Sequence, residues 1–360
     1  LTDRSATAVG VVMALQFGPQ VLFLPISGFV ADRFDRRKLL IFTQAALGLL
    51  ALGLGVLTIG GWVRLWQVYG FAFLLGCVTA FDAPTRQSFV SDLVDEAYLP
   101  NAVALNSTSF NAARLIGPAL AGVLITKIGT GWVFVVNGLS FAAVIASLVR
   151  LRALRSSSPA LKMRGGLFEG FRYVWGRPDI RTVLVMLLIV GTFGLNFPIF
   201  ISTMAVGPFG KGAGQFGLLT SIMAVGSVLG ALLAARRVQP GLPLLVFGAA
   251  AFGVATGLAA IAPSYGTFAL VLVTVGVSAQ TFTTTTNSYV QTSTVPVMRG
   301  RVIAILLAIT LGGTPLGAPV IGRIADAFGP RWAMGAGAMA GLVAAVVGAL
   351  SLSKQKAPMT

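Results

Sequence analysis

The chain contains no histidine, a single cysteine and only 10 acidic residues among its 360 positions. Each scarcity closes a route. Without histidine there is no imidazole proton relay and no histidine-ligated metal. With Cys77 alone, neither an internal disulfide nor a cysteine-rich metal cluster can form. No GxxxxGK[ST] stretch occurs, so there is no P-loop through which the chain would use ATP. No nucleophile–base pair stands out, so no enzyme and no cofactor is expected. Charged residues make up 10 % of the chain, against roughly a quarter in a soluble domain.

Apolar residues occupy 56 % of the positions, and the mean hydropathy is +0.88. A chain that cannot coat itself with charge needs the lipid bilayer as its solvent. The apolar runs are continuous and rich in Ala, Leu and Gly, without the period-2 alternation of an outer-membrane barrel. Eleven runs are long enough to span, at about 8–31, 39–60, 66–89, 101–126, 132–150, 182–204, 213–235, 243–262, 267–291, 302–325 and 332–352. The expected fold is an all-α, multi-pass membrane protein. No signal-peptide pattern precedes the first run, and Leu1 is expected not to be a natural start.

The formal charge of +16 is read as positive-inside loops rather than as a nucleic-acid footprint. One set of loops holds 19 of the 26 basic residues, among them Arg33, Arg36, Arg37, Lys38, Arg86, Arg150, Arg236, Arg237, Arg299 and Arg301. That side is expected to be cytoplasmic, which places the C-terminus inside and the protein in the plasma (inner) membrane. The longest connection carries eight basic residues from Arg150 to Arg181 against Glu169 and Asp179. Within it, Leu167, Phe168, Phe171, Val174 and Trp175 share one helical face, which predicts an amphipathic helix on the inner membrane surface. A disordered linker is the alternative. The expected organisation is an N-terminal half over 1–150, a linker over 151–181 and a C-terminal half over 182–360.

The halves repeat. A shift of 200 residues superposes Gly76 on Gly276, Gly117 on Gly317, Gly122 on Gly322, Gly129 on Gly329 and Trp132 on Trp332. Parallel repeats of a six-helix unit are one way carriers build two halves around a midplane site. Run 182–204 opens the second half, and its mate in the first would end near residue 4. One N-terminal helix is therefore expected to be missing, leaving eleven visible spans of twelve.

The first basic loop reads Gly28-Phe29-Val30-Ala31-Asp32-Arg33-Phe34-Asp35-Arg36-Arg37-Lys38. A small residue at a helix end admits a close neighbour. An Asp followed by Arg at i+1 and i+4 can form an ion network that exists in one conformation and breaks in another. This G-x-x-x-D-R-x-x-R-R pattern resembles the loop signature of the major facilitator superfamily, and the resemblance covers essentially the whole chain. Phe81-Asp82-Ala83-Pro84-Thr85-Arg86-Gln87, Asn101 to Thr108 and Arg299-Gly300-Arg301-Val302 are similar to the branch containing enterobactin exporters and macrolide-type efflux carriers. The resemblance implies a conformational gate on Gly28 and Asp32, with Arg33, Arg36, Arg37 and Arg86 around it. Arg114-Leu115-Ile116-Gly117-Pro118-Ala119-Leu120-Ala121-Gly122 resembles the G-P-x-x-G-G stretch of exporters and antiporters, with Ala113 and Ala121 where that pattern has Gly. Gly117, Pro118 and Gly122 are the expected kink.

Arg114 lies about thirteen residues inside its span, roughly 20 Å deep. An arginine at that depth is functional by default. It either binds an anionic group of the substrate or pairs with Asp82 in the preceding span. Free of Arg114, Asp82 is the candidate for proton coupling. Gln16, Gln20, Asn111, Asn196 and Gln280 are neutral polar residues that line a cavity or join helices. The run Thr281 to Thr286 can satisfy its own backbone carbonyls. The reading that follows is a secondary active exporter of a drug-like or siderophore-like molecule, monomeric, working by alternating access with protons as the coupling ion. An importer or lysophospholipid flippase on the same fold, and a non-transporting scaffold or sensor, are the alternatives.

Overall fold

The computed structural model describes residues 5–95, 98–151, 167–235 and 241–356, and among them all regular structure is helical. In chain order the helices are α1 (Ala6–Leu22), α2 (Leu24–Arg33), α3 (Arg36–Ile59), α4 (Leu65–Asp92), α5 (Leu99–Ile128), α6 (Thr130–Arg150), α7 (Leu167–Trp175) and α8 (Pro178–Ile189). A π-helical turn (Val190–Gly194) leads to α9 (Phe197–Val206), α10 (Ala213–Ala235), α11 (Leu242–Ala260), α12 (Tyr265–Ser293), α13 (Pro296–Phe328) and α14 (Pro330–Lys356). Ten helical stretches among the described residues are long and apolar enough to cross a membrane. The expected first span is instead filled by α1 and α2 in succession. They break at Phe23, because Pro25 in the first turn of α2 has no N–H to continue a ladder.

Contacts divide the chain into two units: residues 1–4 with 11–162, and residues 5–10 with 163–360. In the first, α3 packs along α6 and α4. Gly48, Gly55, Gly131 and Gly138 line the α3–α6 seam, where a Cβ at Gly131 would stand 2.6 Å from Ile59 and one at Gly138 2.6 Å from Leu52. Arg36, at the start of α3, is paired with Asp92 at the end of α4 (2.9 Å), both side chains being 10 % exposed. Asp35 caps α3 by accepting from the backbone N–H of Arg37 and Lys38. The Arg37 guanidinium donates to the carbonyls of Leu148 and Val149, two of the carbonyls that the end of α6 leaves without helical partners.

In the second unit α11 packs on α14 and α12, and α10 on α12. The α10–α12 crossing is built on Gly226 and Gly230, spaced as in small-xxx-small helix pairs. A Cβ at Gly226 would overlap the Val273 carbonyl oxygen, and one at Gly230 would stand 2.6 Å from that of Val277. The repeat recurs in the packing. Gly276 meets the Met223 backbone, as Gly76 meets that of Gln16. Gly129 and Gly329 end α5 and α13 with φ of +82° and +98°, a backbone that favours glycine. Trp132 and Trp332 stand exposed just beyond.

The repeat also has an exception. Gly317 abuts the Thr192 carbonyl of the π-helical turn, whereas at Gly117 a Cβ would meet nothing within 4 Å. Among the described residues the first unit holds no counterpart of α8–α9. That span is interrupted at mid-length: Leu195 and Asn196 leave the helix, Asn196 Nδ2 donates to the Thr192 carbonyl (2.7 Å), and Pro198 lies in the first turn of α9. The Asn196 Oδ1 and Thr192 Oγ1 atoms are buried without a hydrogen-bond partner.

The predicted amphipathic helix is present as α7, but its apolar face is divided. Val174 is buried, while Phe171 and Trp175 are exposed. Residues 152–166 and 236–240, with Arg152, Arg155, Lys162, Arg164, Arg236 and Arg237, lie outside the described residues.

Candidate transport site

The first unit places a carboxylate inside a membrane span. Asp82 sits in α4 ten residues before its end, about 15 Å along the axis at 1.5 Å per residue, and is 3 % exposed. Two residues on, Pro84 removes the N–H that would bond the Ala80 carbonyl, a local weakness in the ladder. Two donors converge on Asp82 Oδ1: Thr43 Oγ1 at 2.8 Å and Gln44 Nε2 at 2.7 Å, both buried on α3. The other oxygen, Oδ2, faces Arg86 Nε at 3.6 Å, one turn along α4. A buried carboxylate needs such partners, and here they are divided unequally. Oδ1 is saturated by neutral donors, and Oδ2 has only a longer contact with a side chain that is 59 % exposed.

Arg86 opens onto a cleft of about 400 Å³ between α4 and α5, lined by Ala83, Arg86, Gln87, Asn106, Ser107, Phe110 and Asn111. Phe110 supplies an apolar wall, and the remaining polar lining can donate hydrogen bonds to an anionic or carbonyl-rich guest. A hollow of about 520 Å³ at the α3–α4 turn, from Gly61 to Trp66, lies at the far end of α4 and carries Arg64 as its single charged residue.

Arg114 lies on the same face of α5 as Asn111 and Ser107, at i+3 and i+7 from them. It is exposed, and it makes no hydrogen bond or ion pair with any described residue. The expected alternative in which Arg114 pairs with Asp82 is therefore not what the structure shows: Thr43, Gln44 and Arg86 occupy the carboxylate. Asn111 Nδ2 donates to the Ser107 carbonyl at 2.8 Å. Gln20 Nε2 donates to the Gln16 carbonyl at 3.1 Å. Asn196 and Gln280 belong to the second unit. Gln280 Nε2 donates to Thr284 Oγ1 at 3.0 Å, so there too the amide is used within its own helix. Of the threonine run, Thr283 bonds back to the Ala279 carbonyl at 3.0 Å, while the Thr286 hydroxyl is buried without a partner.

The gate residues distribute differently. Gly28 is exposed, with nothing within 4 Å of an added Cβ. The Asp32 side chain lies outside what is described. Arg33 is exposed, Arg36 pairs with Asp92, Arg37 bonds the end of α6, and Arg86 pairs with Asp82. The kink residues Gly117, Pro118 and Gly122 fall inside one continuous helix, α5.

Sequence reasoning missed four residues in acceptor or donor roles. Asp92 stands ten residues after Asp82, and Thr43 and Gln44 look like ordinary polar positions at a span's edge. Asp326, near the end of α13, accepts from Ser5 Oγ (2.8 Å), Ala6 N–H (2.6 Å) and Thr7 N–H (2.9 Å). It caps a helix more than 300 residues distant in sequence, and no local signal announces it.

The profile of the family described as transmembrane secretion effector matches residues 1–358. Among curated proteins, the chain is 27 % identical over 337 residues to the enterobactin exporter EntS of Salmonella typhimurium, covering 90 % of this chain and 78 % of that one. It is 23 % identical over 332 residues to the staphyloferrin A transporter of Staphylococcus aureus, covering 91 % and 83 %. Among solved structures, a bacterial homologue of the human lysosomal transporter Spinster, inward-facing and occupied, matches with a TM-score of 0.75 at 17 % identity, over 97 % of this chain and 89 % of that one. The D-xylose–proton symporter matches with a TM-score of 0.75 at 13 % identity, over 95 % and 86 %. At such identities the structural likeness establishes the fold alone.

Proposed function

We propose that this chain, which belongs to the transmembrane secretion effector family of major facilitator transporters, is a secondary active exporter of an anionic or amphipathic small molecule, driven by protons through alternating access. The observation that carries the reading is the pairing of a buried carboxylate, Asp82, with a cleft that begins at its ion-pair partner, Arg86. Asp82 is the proton carrier in this reading. Its Oδ1 is held by Thr43 and Gln44, so Oδ2 is the atom that a proton reaches, and a proton there takes the place of Arg86. Arg86 and Arg114 are the anion contacts. A cationic side chain without a partner inside a membrane span is costly unless water or an anionic guest reaches it. The siderophore-handling relatives support an oxygen-rich, negatively charged cargo.

The test is energised efflux from cells expressing the chain, loaded in turn with a catecholate siderophore, a macrolide and a cationic dye, with and without a protonophore. The expected result is export of the siderophore that collapses with the protonophore and in Asp82→Asn, and that weakens selectively for anionic cargo in Arg114→Gln. Export indifferent to both the protonophore and Asp82→Asn overturns the coupling assignment. Uptake in place of efflux, or movement of lysophospholipid alone, overturns the direction or the cargo class.

A further inference from the structure

We infer that the outward face of α7 is a binding surface for anionic phospholipid headgroups. The helix is fixed to its own unit along one side. Glu169 is paired with Arg301 of α13 at 2.8 Å, and at Gly170 an added Cβ would stand 3.0 Å from the Arg301 Cβ. Val174 is buried. The Tyr173 hydroxyl accepts from Arg177 Nη1 at 3.2 Å and from the Val295 N–H at 3.4 Å. Arg177 in turn makes a two-pronged bond to Asp179, at 3.0 and 2.7 Å, and reaches the Ser293 carbonyl. The Asp179 carboxylate drives the Arg177 pKa up, so this anchor keeps its charge.

The other side is left open. Phe171 is 57 % and Trp175 74 % exposed, Arg172 between them is exposed, and the Arg181 guanidinium lies 5.6 Å over the Trp175 ring. Both nearby acids are engaged elsewhere, Glu169 by Arg301 and Asp179 by Arg177. The open face therefore presents two arginines and two aromatic rings, with no compensating carboxylate among the described residues of α7 and the start of α8.

The chemistry selects the occupant. A guanidinium fork matches a phosphate oxygen pair, an indole belongs at the depth of lipid headgroups, and a phenylalanine beside it needs hydrocarbon. A soluble phosphate would satisfy the arginines and leave both rings in water. A lipid headgroup with its acyl chains satisfies all four residues, and a negatively charged leaflet adds attraction for each arginine.

The experiment is fluorescence quenching in vesicles containing brominated phosphatidylglycerol, or brominated phosphatidylcholine at the same fraction. The signal is the difference between the parent chain and Trp175→Phe, which isolates Trp175. Quenching by the anionic lipid should exceed that by the zwitterionic one by about threefold or more, and high salt should reduce the excess. Arg172→Gln with Arg181→Gln should abolish the excess and leave quenching by phosphatidylcholine in place. Equal quenching by the two lipids at low salt refutes anionic recognition. Quenching by neither shows that the face is turned from the membrane or covered by protein, and equally overturns the inference. The salt titration stands without the double variant, should that variant fail to fold.

Discussion

Gly226→Ala tests whether the α10–α12 crossing depends on the absence of a side chain. A methyl group there would overlap the Val273 carbonyl oxygen, so the helices must part by something like half an ångström to one ångström, and such overpacking costs about 1–3 kcal/mol. Replacing a helical glycine by alanine also gains about 1 kcal/mol of helix propensity, which conceals part of the loss. Gly335→Ala on α14 supplies the reference, since a Cβ there meets nothing within 4 Å. Both variants receive the same propensity gain, and the difference between them isolates the clash. The assay is the temperature at which half of the detergent-solubilised protein remains monodisperse on size-exclusion chromatography after heating. At about 1.3 °C per kcal/mol, from roughly 2.1 cal/mol/K per residue over a chain of this length, Gly226→Ala should fall about 1–4 °C below Gly335→Ala. Equal midpoints would show that the crossing relaxes freely, and would refute the claim that backbone contact sets it.

Other perturbations follow the same logic. Asp326→Ala removes the carboxylate that caps α1 and should cost about 1–2 kcal/mol in the same heating assay, with Asp326→Asn losing less because it keeps an acceptor. Asp92→Asn weakens a buried charge-assisted bond to Arg36, a loss of about 1.5–3 kcal/mol, while the joint change Arg36→Leu with Asp92→Leu should recover much of it. Arg37→Gln should loosen the end of α6, read as faster amide hydrogen exchange at residues 148–151 with little change elsewhere. Asp82→Asn should leave the melting midpoint near that of the parent chain, since an amide keeps an acceptor for Thr43 and Gln44, while efflux is lost. A large stability loss would instead make Asp82 structural.

The spans, the repeat and α7 were legible because each is a statement about transfer energy along a line of sequence. Hydropathy finds a run such as 213–235 to the residue, since lipid prices every side chain in it. Partner choice is not legible in that way. Asp82 was expected to meet Arg114 or stand alone, and it meets Thr43 and Gln44 because α3 happens to lay two short donors at its level. The repeat suggested that Gly117 and Gly317 share a role, yet only Gly317 has a backbone against it. Glycine spacing records that a close approach is permitted, not that a neighbour is present. The break between α1 and α2 could have been read from Pro25. The cap from Asp326 could not, because the groups it joins are adjacent only after folding.

The interruption at 190–196 gives α8–α9 a mechanical character that the other spans lack. An unbroken membrane helix resists bending because each hydrogen bond opened in hydrocarbon must be left unmade. Here the ladder is already open at Leu195 and Asn196, and Pro198 has no amide to lose. Flexing at this level sacrifices fewer bonds than flexing anywhere along α10 or α12. The close approach of Gly313 and Gly317 to Gly191 and Thr192 fixes the point about which such a flexure turns. The span is best regarded as two rigid rods joined at a clamped pivot.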